Sequence, residues 1–185
     1  MTMRYLTILL IAVVLNSCTT DKNKKADDNF KTYLSSLDKL ETPVRFDTKN
    51  ELKARSRNYD TLLFKKFKHA WSMGPHGKIF DNDSVIVIVD ITAGDVLVPL
   101  FTTFNKQGQK LDSLNPYSRA GIDMGYECYE FVTIIESKEI IVTDSTRTWD
   151  LNEDESDIIE NSDKLTVDTV IYKINDKGKI VKVKG

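Results

Sequence analysis

Apolar positions follow three different rhythms along the chain. From Tyr5 to Leu15 they dominate an uninterrupted run of uncharged residues. Beyond the polar stretch 18–27, Phe30, Tyr33, Leu34, Leu37 and Leu40 fall at the three-and-four spacing of one helix face, with Asp27 or Asp28 available as cap and Pro43 as terminator. The segment 51–71 is ambiguous, because Leu62, Leu63, Phe64 and Phe67 suit a second short helix or a strand; helix is the better reading. Gly74-Pro75-His76-Gly77 then breaks the chain.

After residue 80 the period drops to two. Ser84 to Ile91 is a continuous Val/Ile run, which predicts a central strand covered on both faces. A turn at Ala93-Gly94-Asp95 leads into a strand from Val96 to Asn105, whose Pro99 points to an edge or a bulge. Asn105-Lys106-Gln107-Gly108 fits a type I turn with glycine in the left-handed position, and Asn175-Asp176-Lys177-Gly178 repeats that chemistry without a duplicated unit around it. Strands are expected at Glu127–Ile135, Glu139–Thr146, Leu165–Ile174 and Ile180–Lys184. The apolar phase of the third switches between Val167 and Val170, which predicts a bulge near Asp168-Thr169. In the last, Val181 and Val183 should face inward and Lys182 and Lys184 outward, protecting an edge. The fold class is therefore α+β and mostly antiparallel β. One N-terminal helix, or two if 51–71 contributes another, packs on a β-meander sheet or a partly closed barrel.

The opening run is too short to span a bilayer, which needs roughly 20 apolar residues, and has the length of a signal-peptide core. It ends in Leu15-Asn16-Ser17-Cys18, which resembles the lipobox of bacterial lipoproteins. That resemblance implies cleavage before Cys18 and acylation of its thiol and freed amine, an attachment that several acyl chains make effectively permanent. It divides the chain into a signal peptide at 1–17, a polar tether at 18–27 and one globular domain at 28–185. Thr19, rather than Asp, follows the cysteine; by the sorting rule of enteric bacteria this implies the outer membrane, with either its periplasmic or its surface side open. The segment Phe104 to Leu114 also resembles stretches of uncharacterised secreted lipoproteins of Gram-negative bacteria, a likeness that implies no activity.

Composition narrows the partners. The formal net charge is −2, about −3 once Arg4 leaves with the leader, and no basic stripe suggests nucleic acid. With Cys18 lipidated, Cys128 is the remaining cysteine, so no intramolecular disulfide can form. Neighbouring Glu127 and Glu130 disfavour a thiolate, and Cys128 reads as a buried small hydrophobe in a strand. His69 and His76 stand at no ligand or triad spacing and read as surface residues. No nucleophile elbow surrounds Ser72 or another serine, and no phosphate loop, zinc-type cysteine pair or dinucleotide fingerprint occurs. No catalytic residue and no cofactor are indicated.

Asp150 to Asp163 is acidic throughout and lacks a basic residue. Asp150, Asn152 and Asp154 have the alternating oxygens of a calcium loop, but Glu155 replaces its turn glycine and Asn161 its bidentate glutamate. A solvated acidic loop is the better reading, with Trp149 at its start as a core plug rather than a sugar platform. Two functional classes are left. One is a membrane-tethered binding or accessory module for another envelope protein or a surface glycan. The other is an envelope hydrolase of glycosidase type, using carboxylates that only the fold brings together.

Overall fold

A computed structural model describes residues 28–50, 52, 58–94 and 97–185. The expected signal peptide, the lipidation expected at Cys18, the expected tether and the Asp27 cap lie outside the described residues.

Helix α1 covers residues 28–35 and buries Phe30 and Tyr33. It stops well short of Pro43: the hydroxyls of Ser35 and Ser36 bond back to the carbonyls of Thr32 and Tyr33, the local competition that makes serine a poor helix-interior residue. Helix α2, Thr61–Phe67, begins at Asp60, whose carboxylate accepts from the amides of Leu62 and Leu63 at 2.9 Å. It buries Phe64 and Phe67, so the ambiguous segment does contain a helix near its end.

The described residues contain ten strands, numbered β1 to β10 in chain order. Four of them, β2 (Ser72–Ile79), β3 (Val85–Ala93), β4 (Leu97–Asn105) and β5 (Lys110–Leu114), form one antiparallel sheet in sequential order. The second sheet has the order β1-β7-β8-β9-β10, from β1 (Val44–Asp47), β7 (Tyr126–Ile134), β8 (Glu139–Thr148), β9 (Lys164–Ile174) and β10 (Ile180–Lys184); β6 (Gly121–Asp123) pairs with β7. The sheets face each other as an open sandwich, not a closed barrel, and the helices lie on the far side of the first sheet.

That three-layer order explains β3, buried from Val85 to Thr92. Val85, Val87 and Val89 enter the core between the sheets, where Phe101, Val132, Ile134, Ile140, Val142 and Ile174 meet them. Ile86 and Ile88 point the other way, into a second core with Phe30, Tyr33, Phe64, Phe67 and Phe104. Each such side chain contributes roughly 1.5–3 kcal/mol of transfer free energy, so a strand serving two cores reads as an uninterrupted apolar run.

Four expectations are corrected. Gly74-Pro75-His76-Gly77 is no break but the middle of β2, accommodated by two register shifts against β3. Only an edge strand tolerates this, because Pro75 has no amide to donate. Gly77 lies under the segment 38–40, and a Cβ there would come within 2.7 Å of Leu40 Cγ and 2.8 Å of the Asp38 carbonyl. Reciprocal 2.9 Å bonds, Leu40 to Lys78 and Lys78 to Asp38, close that edge. In consequence His76 is 6 % exposed and packs edge-on against Phe46, rather than lying on the surface.

The bulge expected at Asp168-Thr169 does not exist: β8 and β9 pair without a shift from Glu139↔Lys173 to Thr148↔Lys164. Leu165 and Val167 are instead exposed, at 56 % and 61 %, on the outer face. The register shift in this region falls in β10, between Lys182 and Lys184. Val181, opposite Lys173, shares the outer face, so it and Val183 are exposed rather than inward.

Both Asn-x-x-Gly turns form as expected. Asn105 and Asn175 each accept two backbone amides, and Gly108 and Gly178 adopt φ of 76° and 74°. Pro99 lies where β4 pairs only with β3, beyond the end of β5.

Candidate functional site: a strapped cleft at one end of the sandwich

Strand alternation places Cys128, Glu130, Val132 and Ile134 of β7 on one face, with Thr146, Asp144, Val142 and Ile140 of β8 opposite them. The register with β9 extends the rows to Thr166, Asp168 and Val170. The inner face is thus apolar at Val132-Val142-Val170 and turns acidic one row later, at Glu130-Asp144-Asp168. Facing the apolar row is the first sheet. Over the acidic row lies the loop 115–120, which joins β5 to β6.

The loop is fastened by charge. Glu130, buried in strand β7, accepts from three consecutive backbone amides: Ser118 at 3.0 and 3.1 Å on its two oxygens, Arg119 at 3.1 Å and Ala120 at 2.8 Å. A carboxylate facing a run of peptide N–H groups forms charge-assisted bonds about twice as strong as neutral ones. The Arg119 side chain reaches across the row, with Nη1 3.1 Å from Asp144 and 3.4 Å from Asp168. Asp144 beside it holds the guanidinium above its ordinary pKa. Tyr126 donates to the Arg119 carbonyl at 2.7 Å, and Asn115 accepts from the Tyr117 amide at 3.1 Å.

Beneath this strap is a cleft of about 420 Å³ whose walls include Thr48, Val98, Tyr117, Arg119, Cys128 and Glu130. Two of its groups are chemically notable. The Tyr117 hydroxyl is buried without a hydrogen-bond partner, and burial, with Asp47 and Glu130 adding to it, pushes the phenol well above its usual pKa. It stays a neutral donor. Cys128 is buried as expected, and its sulfur accepts from Thr146 Oγ1 at 3.1 Å. On the far side of Arg119 a recess of about 280 Å³ opens between Asp144, Asp168 and Tyr172. A larger groove of about 650 Å³ runs beside β1 past His76 and Pro99, with Lys39, Glu41, Arg45 and Asp47 among its walls.

A second buried polar group lies between the helices and the first sheet. Asp90 is 1 % exposed; Ser72 donates to its Oδ2 at 2.5 Å, while Oδ1, the Tyr33 hydroxyl and Thr102 Oγ1 have no partner. Desolvation raises the Asp90 carboxyl to about 6, against the opposing effect of the Ser72 bond and of Lys68 and Lys110.

The residues singled out from the sequence do not converge. Asp150 pairs with Lys164 at 3.2 Å, Asn152 accepts from the amides of Ser156 and Asp157, and Asp154 accepts from the Ser156 hydroxyl. The acidic loop folds around its own hydrogen bonds, with Glu155 at φ 54° in the position of the missing glycine. No group of three metal-ligating side chains forms among the described residues. Trp149 is half-buried, its ring 5.9 Å from the Arg147 guanidinium. Ser72 is committed to Asp90. His69 is half-buried and lies against Trp71, and burial, then Lys110, lowers its pKa.

The strap residues Tyr117 and Arg119, and the acids Glu130, Asp144 and Asp168, were missed in the sequence. Two signals pointed to them: Glu130 shares the phase of Cys128, Val132 and Ile134, and the phase switch in β9 marks where its inner face becomes polar. Compared with known proteins, the chain matches no family model, no curated protein and no solved structure.

Proposed function

We propose that the protein is a cell-envelope lipoprotein, anchored through Cys18 to the outer membrane, and that its domain is a binding module whose cleft takes part of a surface glycan. The observation that supports the reading best is that Tyr117, one of the residues lining the cleft, carries a neutral hydroxyl donor that is buried without a partner. A buried polar group without a partner costs free energy of order 1–3 kcal/mol, and a ring movement that turned this hydroxyl onto a ligand oxygen in the cleft would remove that cost. The cleft also lies within the roughly 300–1,000 Å³ typical of small-ligand sites, a shape suited to a sugar unit better than to a flat protein surface. Its mixture of an apolar wall, a phenol and carboxylate oxygens suits a neutral polyol.

Envelope hydrolysis, the other reading, has the acidic row in its favour. Against it, both oxygens of Glu130 accept from loop amides and Asp144 accepts from Arg119. A glycosidase needs one carboxyl free to protonate a leaving group and another free to attack or activate water. The test is calorimetry of the full-length protein against neutral oligosaccharides of envelope type, beside the Tyr117→Phe variant. Binding that weakens tenfold or more in the variant, with no new reducing ends released, is expected. Release of reducing ends would replace the binding reading with the hydrolytic one, and equal affinity in both proteins would remove the cleft from it. Anchoring is read separately: Cys18→Ala should lose fatty-acid labelling and leave the membrane fraction.

A further inference from the structure

The helical layer bears an exposed apolar stretch that neither core explains. Along α2, the turn after it and the start of β2, Phe64, Phe67 and Ser72 are buried, while Leu62, Trp71 and Met73 are 76 %, 70 % and 60 % exposed. Lys65 and Lys66 stand three and four residues after Leu62 and share its outward face. Lys68 follows, its ammonium 2.8 Å from the Ser72 carbonyl and 5.6 Å from the Phe64 ring. A large tryptophan left in solvent beside leucine, methionine and lysines has the composition of a membrane-interface surface, where the indole sits at headgroup level and the lysines meet phosphates.

Charge is distributed to match. Along α2 and the turn after it, Lys65, Lys66 and Lys68 stand against one acid, Asp60, which caps the helix. From Asp150 to Asp163 the sequence carries seven acids and no base. The first segment lies on the outside of the first sheet; the second joins β8 to β9 in the other sheet. A chain close to neutral overall therefore has a cluster of lysines on α2, while its most acidic segment belongs to the other sheet. Near an anionic bilayer each lysine close to the surface adds to the attraction, and a dense acidic loop is repelled.

The tether leads into the same layer. Counting ten residues from Cys18 to Asp28, an extended chain spans at most about 35 Å. α1, which follows directly, shares its core with α2. An anchored domain is thus held close to the lipid surface, at an effective concentration where a weak patch suffices.

We infer that the surface formed by Leu62, Lys65, Lys66, Trp71 and Met73 docks on anionic phospholipid, so that the helices face the membrane. This rests on the Cys18 anchor. Docking would hold the domain in one orientation instead of letting it tumble on its tether.

The sequence contains two tryptophans, so Trp149→Phe leaves Trp71 as the sole reporter. The lipidated full-length variant is incorporated into vesicles rich in phosphatidylglycerol, with or without brominated acyl chains, and into matching phosphatidylcholine vesicles. Trp71 emission should shift to the blue and be quenched by bromolipid in the anionic vesicles, and both effects should be lost on adding Lys65→Glu and Lys66→Glu. The chain should still sediment with the vesicles. Sedimentation with unquenched Trp71 overturns the docking surface and leaves the anchor intact. Quenching that is equal in phosphatidylcholine and unaffected by the lysine substitutions overturns the anionic-lipid assignment. A protein that neither carries acyl chains nor sediments overturns the anchor, and the inference with it.

Discussion

Glu130 and Asp144 stand directly opposite each other on β7 and β8, both buried, and each is satisfied by a different part of the same residue: Glu130 by the backbone amide of Arg119, Asp144 by its guanidinium. Two acids at adjacent positions of one sheet would repel each other; one short loop supplies the amides and the cation that hold them there. The strap and the acidic row are therefore a single structure.

Replacing Glu130 by Gln keeps the shape but removes the charge and gives one end of the group donors that face peptide N–H groups. Stability should fall by about 1–3 kcal/mol. Amide exchange should accelerate at Ser118, Arg119 and Ala120, while Ile134 and Ile140 in the apolar core keep their protection. Uniform acceleration across the second sheet would mean that Glu130 supports the whole sheet rather than the strap.

Asp90 makes stability depend on pH. Its carboxyl lies at about 6 in the folded protein against an ordinary 3.8, so the native state holds the proton more tightly than the unfolded chain. The contribution is present in full below about pH 4 and is lost as the pH rises through 6. At 1.36 kcal/mol per unit it is bounded at about 3 kcal/mol. Asp90→Asn should flatten the stability profile between pH 4 and 6 and raise the melting temperature at pH 8, because no charge is then buried. Ser72→Ala should move the carboxyl further upward. Chemical denaturation of the three proteins at several pH values checks this, and parallel profiles would refute it.

Gly178 is needed for two reasons: its φ of 74°, and Leu111, whose side chain occupies the space a Cβ would take. Gly178→Val should cost more than the roughly 1 kcal/mol of a left-handed conformation alone. Gly121 is the control. Nothing lies within 4 Å of a Cβ built there, and Gly121→Ala should leave the melting temperature nearly unchanged.

In the acidic loop, the oxygens of Asp150, Asn152 and Asp154 are engaged with Lys164, backbone amides and Ser156. Millimolar calcium should leave thermal stability unchanged. A rise in melting temperature that disappears in Asp150→Asn/Asp154→Asn would establish a site there.

Features determined by nearest neighbours along the chain were legible without coordinates. Asn105 and Asn175 capture amides two and four residues on, and the glycine that completes each turn lies inside the same short window. The helix face of Phe30 and Tyr33 and the doubly covered run of β3 are likewise periodic signals, since burial on one face or two leaves its period in the sequence. The proposed leader and lipid-attachment site at Cys18 rest on a linear pattern alone, and the export proposal depends on it.

Tertiary structure decided what depends on residues far apart in sequence. Gly74 to Gly77 reads as a break until the segment 38–40 closes the edge of β2, and only then is a glycine required at 77 and His76 buried. The phase switch of β9 has two local explanations, a bulge or a change in what covers the strand; the continuous register with β8 selects the second. The cleft is the extreme case. Arg119, Glu130, Asp144 and Asp168 come from one loop and three strands, and no spacing between them carries information, because the pairing of β7, β8 and β9 alone sets their distances.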